Sequence, residues 1–208
     1  MTIMTMTVMM LSTMTRASAT FPLRRRAVVK ALLVDRGPLL VVAGLGAPAW
    51  DVAAAGDSPL DFPLWGVMGG AVMTGLGLAL AQPSRRVLVI TGDGEMLMGL
   101  GSLATVAVQA PANLAIAVLD NECYGETGMQ HTHTAQGADL AAMAQAAGFP
   151  VTALARDEAG LAAAVALARD ARGPVLITIK IRAETPPLVL PPRDGEILKN
   201  RFRNALGL

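Results

Sequence analysis

Apolar and polar positions alternate between two rhythms along this chain. Arg24–Asp35 places Val28, Ala31, Leu32 and Asp35 at i, i+3, i+4 and i+7, the spacing of an amphipathic helix. Pro38–Ala43 is a short apolar run feeding Gly44-Leu45-Gly46, which reads as a strand entering a loop. Gly70–Ala81 is apolar all round and predicts a helix buried on all sides, stopped at Gln82-Pro83-Ser84. Arg86–Thr91 is a β-branched strand ending in Gly92-Asp93-Gly94. Leu97–Val108 has helical spacing, with Leu100, Leu103, Ala104 and Ala107 on one face, and Leu114–Leu119 is another strand. After a polar loop, Asp120–Gly137, Asp139 caps a further helix with Leu140, Met143, Ala144 and Ala147 inward. Val151–Leu154, Asp157–Asp170 and Pro174–Ile181 read as strand, helix and strand. This alternation predicts an α/β, three-layer fold: a mostly parallel sheet with helices on both faces.

Composition narrows the class. The 208 residues suit one domain, and 53% hydrophobic against 16% charged residues excludes a disordered chain. A formal net charge of +1 gives no electrostatic case for nucleic acid. One cysteine, Cys123, cannot close an internal disulfide, so the expectation is a reducing, cytoplasmic setting. Residues 1–20 are Met-rich and lack the charged start and apolar run of a secretory signal; they read as a disordered extension, with a transit peptide the alternative. Phe62–Ala81 is twenty residues without a charge, long enough for a membrane span. Its five glycines and Pro63 make it a poor continuous helix, so a glycine-rich turn entering a buried helix, and no membrane, is the better reading. The domain is expected over 21–182, followed by a Pro-rich tail, 183–208, ending in a short basic helix or coil.

In parallel sheets, ligands sit beyond the carboxyl ends of the strands. Those ends here carry Gly44–Ala47, Gly66–Gly70, Gly92–Glu95 and Asp120–Gln130, three of them glycine-rich. No GxGxxG and no GxxxxGK[ST] is present. Gly92-Asp93-Gly94 puts a carboxylate between glycines whose N–H groups can approach a phosphate. A carboxylate beside a phosphate makes sense when a hard cation bridges the two. Asn121, 28 residues after Asp93 and at the end of the next strand, supplies a second oxygen. Mg²⁺ completes its octahedron with a few such protein oxygens plus phosphate and water.

GDG, a helix, an apolar strand and then Asn resembles the signature of thiamine diphosphate enzymes. The stretch from Gly92 to Thr134 is similar to the sulfopyruvate and phosphonopyruvate decarboxylases, through Asp120-Asn121 and a following Thr127-Gly128-x-Gln130. Gly66-Val67-Met68-Gly69 matches as the loop under the cofactor's pyrimidine, Met68 standing 25 residues before Asp93. The resemblance spans roughly Ala27 to Ile181. It implies the thiamine diphosphate-binding fold, with Mg²⁺ held by Asp93, the side chain of Asn121 and the carbonyl of Cys123. It implies backbone contacts to the diphosphate from Gly92, Gly94 and Glu95, and to the aminopyrimidine from Gly66 and Met68. The Met68 side chain would wedge the cofactor into its bent form. Gly46 and Ala47 would lie at the diphosphate or pyrimidine edge, with Tyr124 and Gly125 beside the cofactor. The implied reaction is decarboxylation of a small 2-oxo acid carrying a second anion. Thr127, Gln130 and His131 are the candidate substrate-facing catalytic groups.

The sequence also departs from the family. Many full-length members place the asparagine one residue closer to the aspartate, which by counting would make Asp120 the ligand. An extra residue near Pro111-Ala112-Asn113 keeps Asn121 in that role. Glu95 replaces a small residue and is expected to face outward. No Lys or Arg lies between Arg86 and Arg156, so this half of the cleft is expected to lack a fixed cation. His131 and His133 read as exposed loop histidines, a proton-transfer or substrate group, or a metal pair short of ligands. The pyrimidine-binding domain that supplies the activating glutamate is not in this stretch of sequence. The chain therefore resembles a β subunit working with a pyrimidine-binding α subunit in a hetero-oligomer built on a dimer. An acetolactate synthase-like carboligase subunit and a non-catalytic cofactor-binding domain are the alternatives.

Overall fold

The computed structural model describes residues 21–208, so the expected N-terminal extension lies outside the described residues. The strands are β1 (Leu40–Ala43), β2 (Asp61–Pro63), β3 (Val87–Gly92), β4 (Leu114–Asp120), β5 (Cys123–Tyr124), β6 (Gln130–His131), β7 (Val151–Ala155) and β8 (Val175–Lys180). Six of them form one all-parallel sheet in the order β2-β1-β3-β4-β8-β7, while β5 and β6 pair antiparallel beside it. The helices are α1 (Arg25–Leu33), α2 (Ala47–Ala55), α3 (Ala71–Ala81), α4 (Asp93–Met98), α5 (Ser102–Gln109), α6 (Leu140–Ala147), α7 (Glu158–Asp170) and α8 (Gly195–Leu206).

The two faces of the sheet carry separate cores, because successive residues of a strand point to opposite sides. On β4, Ala115, Ala117 and Leu119 join α1, α2 and α7, whereas Leu114, Ile116 and Val118 join α3, α5, α6 and α8. All seven β4 residues are buried, as a central strand covered on both faces requires. From β1 the chain runs to the edge as β2, then returns across β1 to β3. The helices that follow β1 and β3, α2 and α4, consequently lie on opposite faces. The crevice between those strand ends is a topological switch point, where open α/β sheets bind ligands.

The structure differs from the sequence reading in particular places. The expected helix over Leu97–Val108 is two helices, α4 and α5, broken at Gly99–Gly101, where the Gly99 N–H closes α4 on the Glu95 carbonyl. Helix α2 follows Gly46 with a proline in its first turn, a position where the missing N–H costs no helical bond. Helix α3 is not buried on all sides: Met73 and Leu80 are 43% and 49% exposed. Gly75 serves packing, since a Cβ there would stand 2.2 Å from Val89 Cγ2, whereas Gly77 faces open space. No helix among the described residues is long and apolar enough to cross a membrane. The Pro-rich tail is not an appendage. It ends in α8, which buries Leu198 and Phe202; Phe202 packs on Phe62 with ring centroids 5.2 Å apart, and Arg201 pairs with Asp57 at 2.6 Å.

Candidate active site

Strand register assembles the site. Gly92 at the end of β3 stands beside Leu119 of β4, and Asp120 stands beside Lys180 of β8. Asp93 and Asn121 therefore emerge from neighbouring strand ends. Both line a cavity of about 360 Å³ that extends under the β1–α2 loop, the hairpin and the segment after β8. That volume suits a cofactor-sized ligand.

Asp93 is 2% exposed, and its Oδ2 accepts hydrogen bonds from the Thr132 hydroxyl at 2.5 Å and the Thr134 hydroxyl at 3.1 Å. Burial, and then the charge of nearby Asp120, push its carboxyl up to about 7, against the pull of those two hydroxyls. No cation faces it. A divalent ion at Asp93 would remove that penalty, so the carboxylate fits a metal role. Among the described residues no group of three or more His, Cys, Asp or Glu side chains converges. An ion here would draw on amide and main-chain oxygens, the hard donors Mg²⁺ prefers.

Asp120 and Asn121 diverge. Asp120 turns away from the cavity: Oδ2 pairs with Lys180 Nζ at 2.8 Å, and Oδ1 accepts from Thr134 Oγ1 at 2.8 Å and the Glu122 N–H at 3.1 Å. Lys180 also pairs with Glu122 at 2.7 Å. Burial works against the lysine's charge, but the two carboxylates outweigh it and the net shift is upward. Asn121 lines the cavity, its Oδ1 accepting the Cys123 N–H at 3.1 Å, and Glu122 between them takes a left-handed backbone, φ 61°. Cys123 is buried; burial, then Asp93, Glu122 and Asp120, raise its thiol, which disfavours a reactive thiolate.

The remaining expected residues divide. Ala47, Met68, Gly92, Gly94, Glu95, Tyr124, Gly125 and Thr127 line the same cavity, whereas Gly46, Gly66, Gln130 and His131 do not. The Tyr124 ring lies on Gly94, where a Cβ would come within 2.4 Å of it. Thr127 and Gln130 bond each other, Thr127 Oγ1 donating to Gln130 Oε1 at 2.9 Å and Gln130 Nε2 donating to the Thr127 carbonyl at 2.8 Å. His131 and His133 are exposed.

Glu95 corrects the expectation that it faces outward. It is 5% exposed and points inward, its Oε2 accepting from Thr91 Oγ1 at 2.8 Å and the Leu45 N–H at 3.1 Å. Desolvation raises its carboxyl, with those donors pulling the other way. It thereby ties the β1–α2 loop to the turn carrying Asp93. The expectation of a cleft without a fixed cation is also corrected. Arg25 lines the cavity at 7% exposure, paired through Nε with buried Asp51 at 2.8 Å. Arg26 shares Asp51 at 3.2 Å and donates to the Pro187 carbonyl, while Arg24 pairs with Glu184 at 2.9 Å. Arg24 and Arg26 pin the tail across the cavity mouth, and the Trp65 indole holds it further on through Pro192, at 2.9 Å. Three consecutive arginines with no neighbouring acid were the one sequence signal for this cluster. Their partners are too distant in the chain to pair by pattern.

A family model for the thiamine pyrophosphate enzyme C-terminal TPP-binding domain matches residues 48–179. The chain belongs to that family. It is 43% identical over 163 residues to the sulfopyruvate decarboxylase subunit beta of Methanothermobacter thermautotrophicus, covering 78% of this chain and 84% of that one. It is 40% identical to the phosphonopyruvate decarboxylase of Streptomyces viridochromogenes, covering 79% of this chain but 41% of that longer protein. The benzoylformate decarboxylase of Polynucleobacter necessarius shares the fold, with a TM-score of 0.67 at 23% identity over 84% of this chain and 36% of that one. The TPP-binding family thus accounts for the switch-point cavity and for the glycines around it.

Proposed function

We propose that the chain is the cofactor-binding subunit of a two-chain, thiamine diphosphate-dependent 2-oxo acid decarboxylase acting on sulfopyruvate or phosphonopyruvate. The observation that carries this is the 43% identity across 84% of a protein named as a beta subunit. The convergence of Asp93, Asn121 and Cys123 on one cavity supports it. When bound, the cofactor supplies the electron sink for loss of CO₂.

The chain's own residues then have separable tasks. Asp93, the Asn121 side-chain oxygen and the Cys123 carbonyl hold Mg²⁺. Thr132 and Thr134 orient the Asp93 carboxylate through their hydroxyls. Gly92, Gly94, Ala47 and Gly125 let the backbone approach the diphosphate, and Gly46, Gly66 and Tyr124 border the cofactor. Glu95 contributes its backbone there while its side chain braces the loop. Met68 sets the cofactor's bend. Thr127, Gln130 and exposed His131 border a substrate entering beside the hairpin; the Thr127 hydroxyl reaches the substrate's second anion by giving up the hydrogen bond it donates to Gln130.

A pyrimidine-binding α subunit supplies the activating glutamate and covers the apolar surface of Val67, Met68 and Met98, which are 76%, 38% and 67% exposed. The assembly is a cytoplasmic hetero-oligomer, in keeping with a single buried thiol. The test is CO₂ release by the chain with and without a co-expressed pyrimidine-binding partner. We expect no turnover alone. With the partner, kcat/KM for 3-sulfopyruvate or phosphonopyruvate exceeds that for pyruvate at least tenfold, about 1.4 kcal/mol. Turnover by the chain alone, or a preference for pyruvate, overturns the reading.

A further inference from the structure

We infer that Arg25 binds the terminal phosphate of the cofactor, an assignment that rests on the family's diphosphate cavity. Three observations carry it. First, Arg25 is buried and lines the cavity, and its one recorded partner among the described residues is Asp51, met through Nε at 2.8 Å, with no described partner on either terminal nitrogen. A guanidinium edge with two parallel N–H groups matches phosphate oxygens in a way that lysine does not.

Second, the three consecutive arginines outnumber the two carboxylates that pair with them. Asp51 carries one negative charge between Arg25 and Arg26, and Glu184 is paired with Arg24. The acids lining the cavity are Asp93, Glu95, Glu126 and Glu184, and Arg25 is the one Lys or Arg among its described lining residues. A diphosphate carries more negative charge than one divalent ion beside Asp93 can offset.

Third, the topology places Arg25 at the correct end. Helix α1 leads into the start of β1 and so runs antiparallel to the strands, bringing its first residue to their carboxyl ends. It packs on the α2 face of the sheet, whereas Met68 precedes α3 on the opposite face. A diphosphate-bearing ligand that met Met68 with its rings and Asp93 through a metal would bring its phosphate end within the part of the cavity that Arg25 lines. The nine-residue helix α2 also starts there, and no side chain caps it.

The test titrates the full chain, with its partner where binding requires it, by calorimetry in excess Mg²⁺. The probes are thiamine diphosphate, inorganic pyrophosphate and thiamine monophosphate. Arg25→Met is expected to weaken the first two at least tenfold and the monophosphate less than threefold, with Arg25→Lys recovering part of the loss. An Arg25→Met/Asp51→Asn pair separates ligand binding from neutralisation of Asp51: the pair stays weak if Arg25 binds phosphate. Restoration by Asp51→Asn, equal weakening of mono- and diphosphate, or no change would each overturn the assignment. If the wild-type protein binds no diphosphate at all, the cofactor reading itself fails.

Discussion

Gly44→Ala offers a direct test of the inward position of Glu95. Gly44 lies outside the left-handed region, so alanine meets no backbone obstacle there. The obstacle is space: an added Cβ would stand 1.9 Å from Glu95 Oε2 and 3.1 Å from Thr91 Oγ1. Glu95 cannot swing aside without releasing its bonds to Leu45 and Thr91. Overpacking of this kind costs about 1–3 kcal/mol. Glu95→Ala alone leaves the Leu45 N–H and the Thr91 hydroxyl buried without that acceptor, at about 1–3 kcal/mol each, partly offset by removing a desolvated carboxylate. In the double variant the new methyl enters the space the carboxylate vacated. The two costs should then fall short of adding by about 1.5 kcal/mol or more, well beyond the ~0.5 kcal/mol scatter of independent sites. Urea unfolding of the four proteins measures the coupling directly. Additivity within that scatter would refute the inward carboxylate and restore an outward one.

Three other outcomes follow from the site. Asp93→Ala and Asn121→Ala each remove Mg²⁺-dependent binding of thiamine diphosphate, while Asp120→Ala, whose side chain faces Lys180, removes less; calorimetry with and without Mg²⁺ ranks them. Lys180→Met strands two carboxylates that it pairs at 2.8 and 2.7 Å, and costs about 3–5 kcal/mol in denaturant unfolding, most of it recovered by adding Asp120→Asn and Glu122→Gln. The metal-free chain gains stability as pH falls from about 7 toward the ordinary carboxylate range. Asp93, raised to about 7, and Asp51, Asp61 and Glu95, also raised, all hold protons more tightly folded than unfolded. Thermal melts across that range should rise toward acid and flatten when Mg²⁺ occupies Asp93; a fall toward acid would contradict the shifts.

The sheet was legible because its strands are short apolar runs between turn residues, and each found its place: Arg86–Thr91 is β3, Leu114–Leu119 is β4, Pro174–Ile181 is β8. The elements that escaped are those whose residues have weak or contrary local preferences. Helix α2 is mostly alanine around Pro48 and Trp50, with no clear apolar stripe, and buries only Pro48, Ala49, Asp51 and Val52. Strand β2 is three residues with a proline, tolerable because β1 is its one neighbour, at the sheet edge. The break between α4 and α5 hides inside a continuous helical period, because Leu100 and Leu103 keep their spacing through the glycines. Helix α8 reads as basic and surface-bound until Phe202 meets Phe62, 140 positions earlier.

The site divides along the same line. Residues that reach the cavity from a strand-end turn, such as Gly94, Asp93 and Asn121, are legible because the turn that presents them is local. Glu95, Arg25 and Asp120 are not, because the direction of each side chain is decided by a distant segment. Glu95 turns inward because Gly44, 51 positions earlier, leaves room and Leu45 offers an N–H. Asp120, though buried, turns away from the cavity because Lys180 arrives beside it on β8. Asp120 and Asn121 are adjacent oxygen donors at one strand end, and counting residues alone could favour either. The buried lysine separates them: a carboxylate already paired at 2.8 Å has little attraction left for a second cation, while Asn121 beside it lines the cavity and carries no such partner, its Oδ1 accepting only the Cys123 N–H. A lysine 60 positions away therefore bears on which neighbour is left free for the proposed metal.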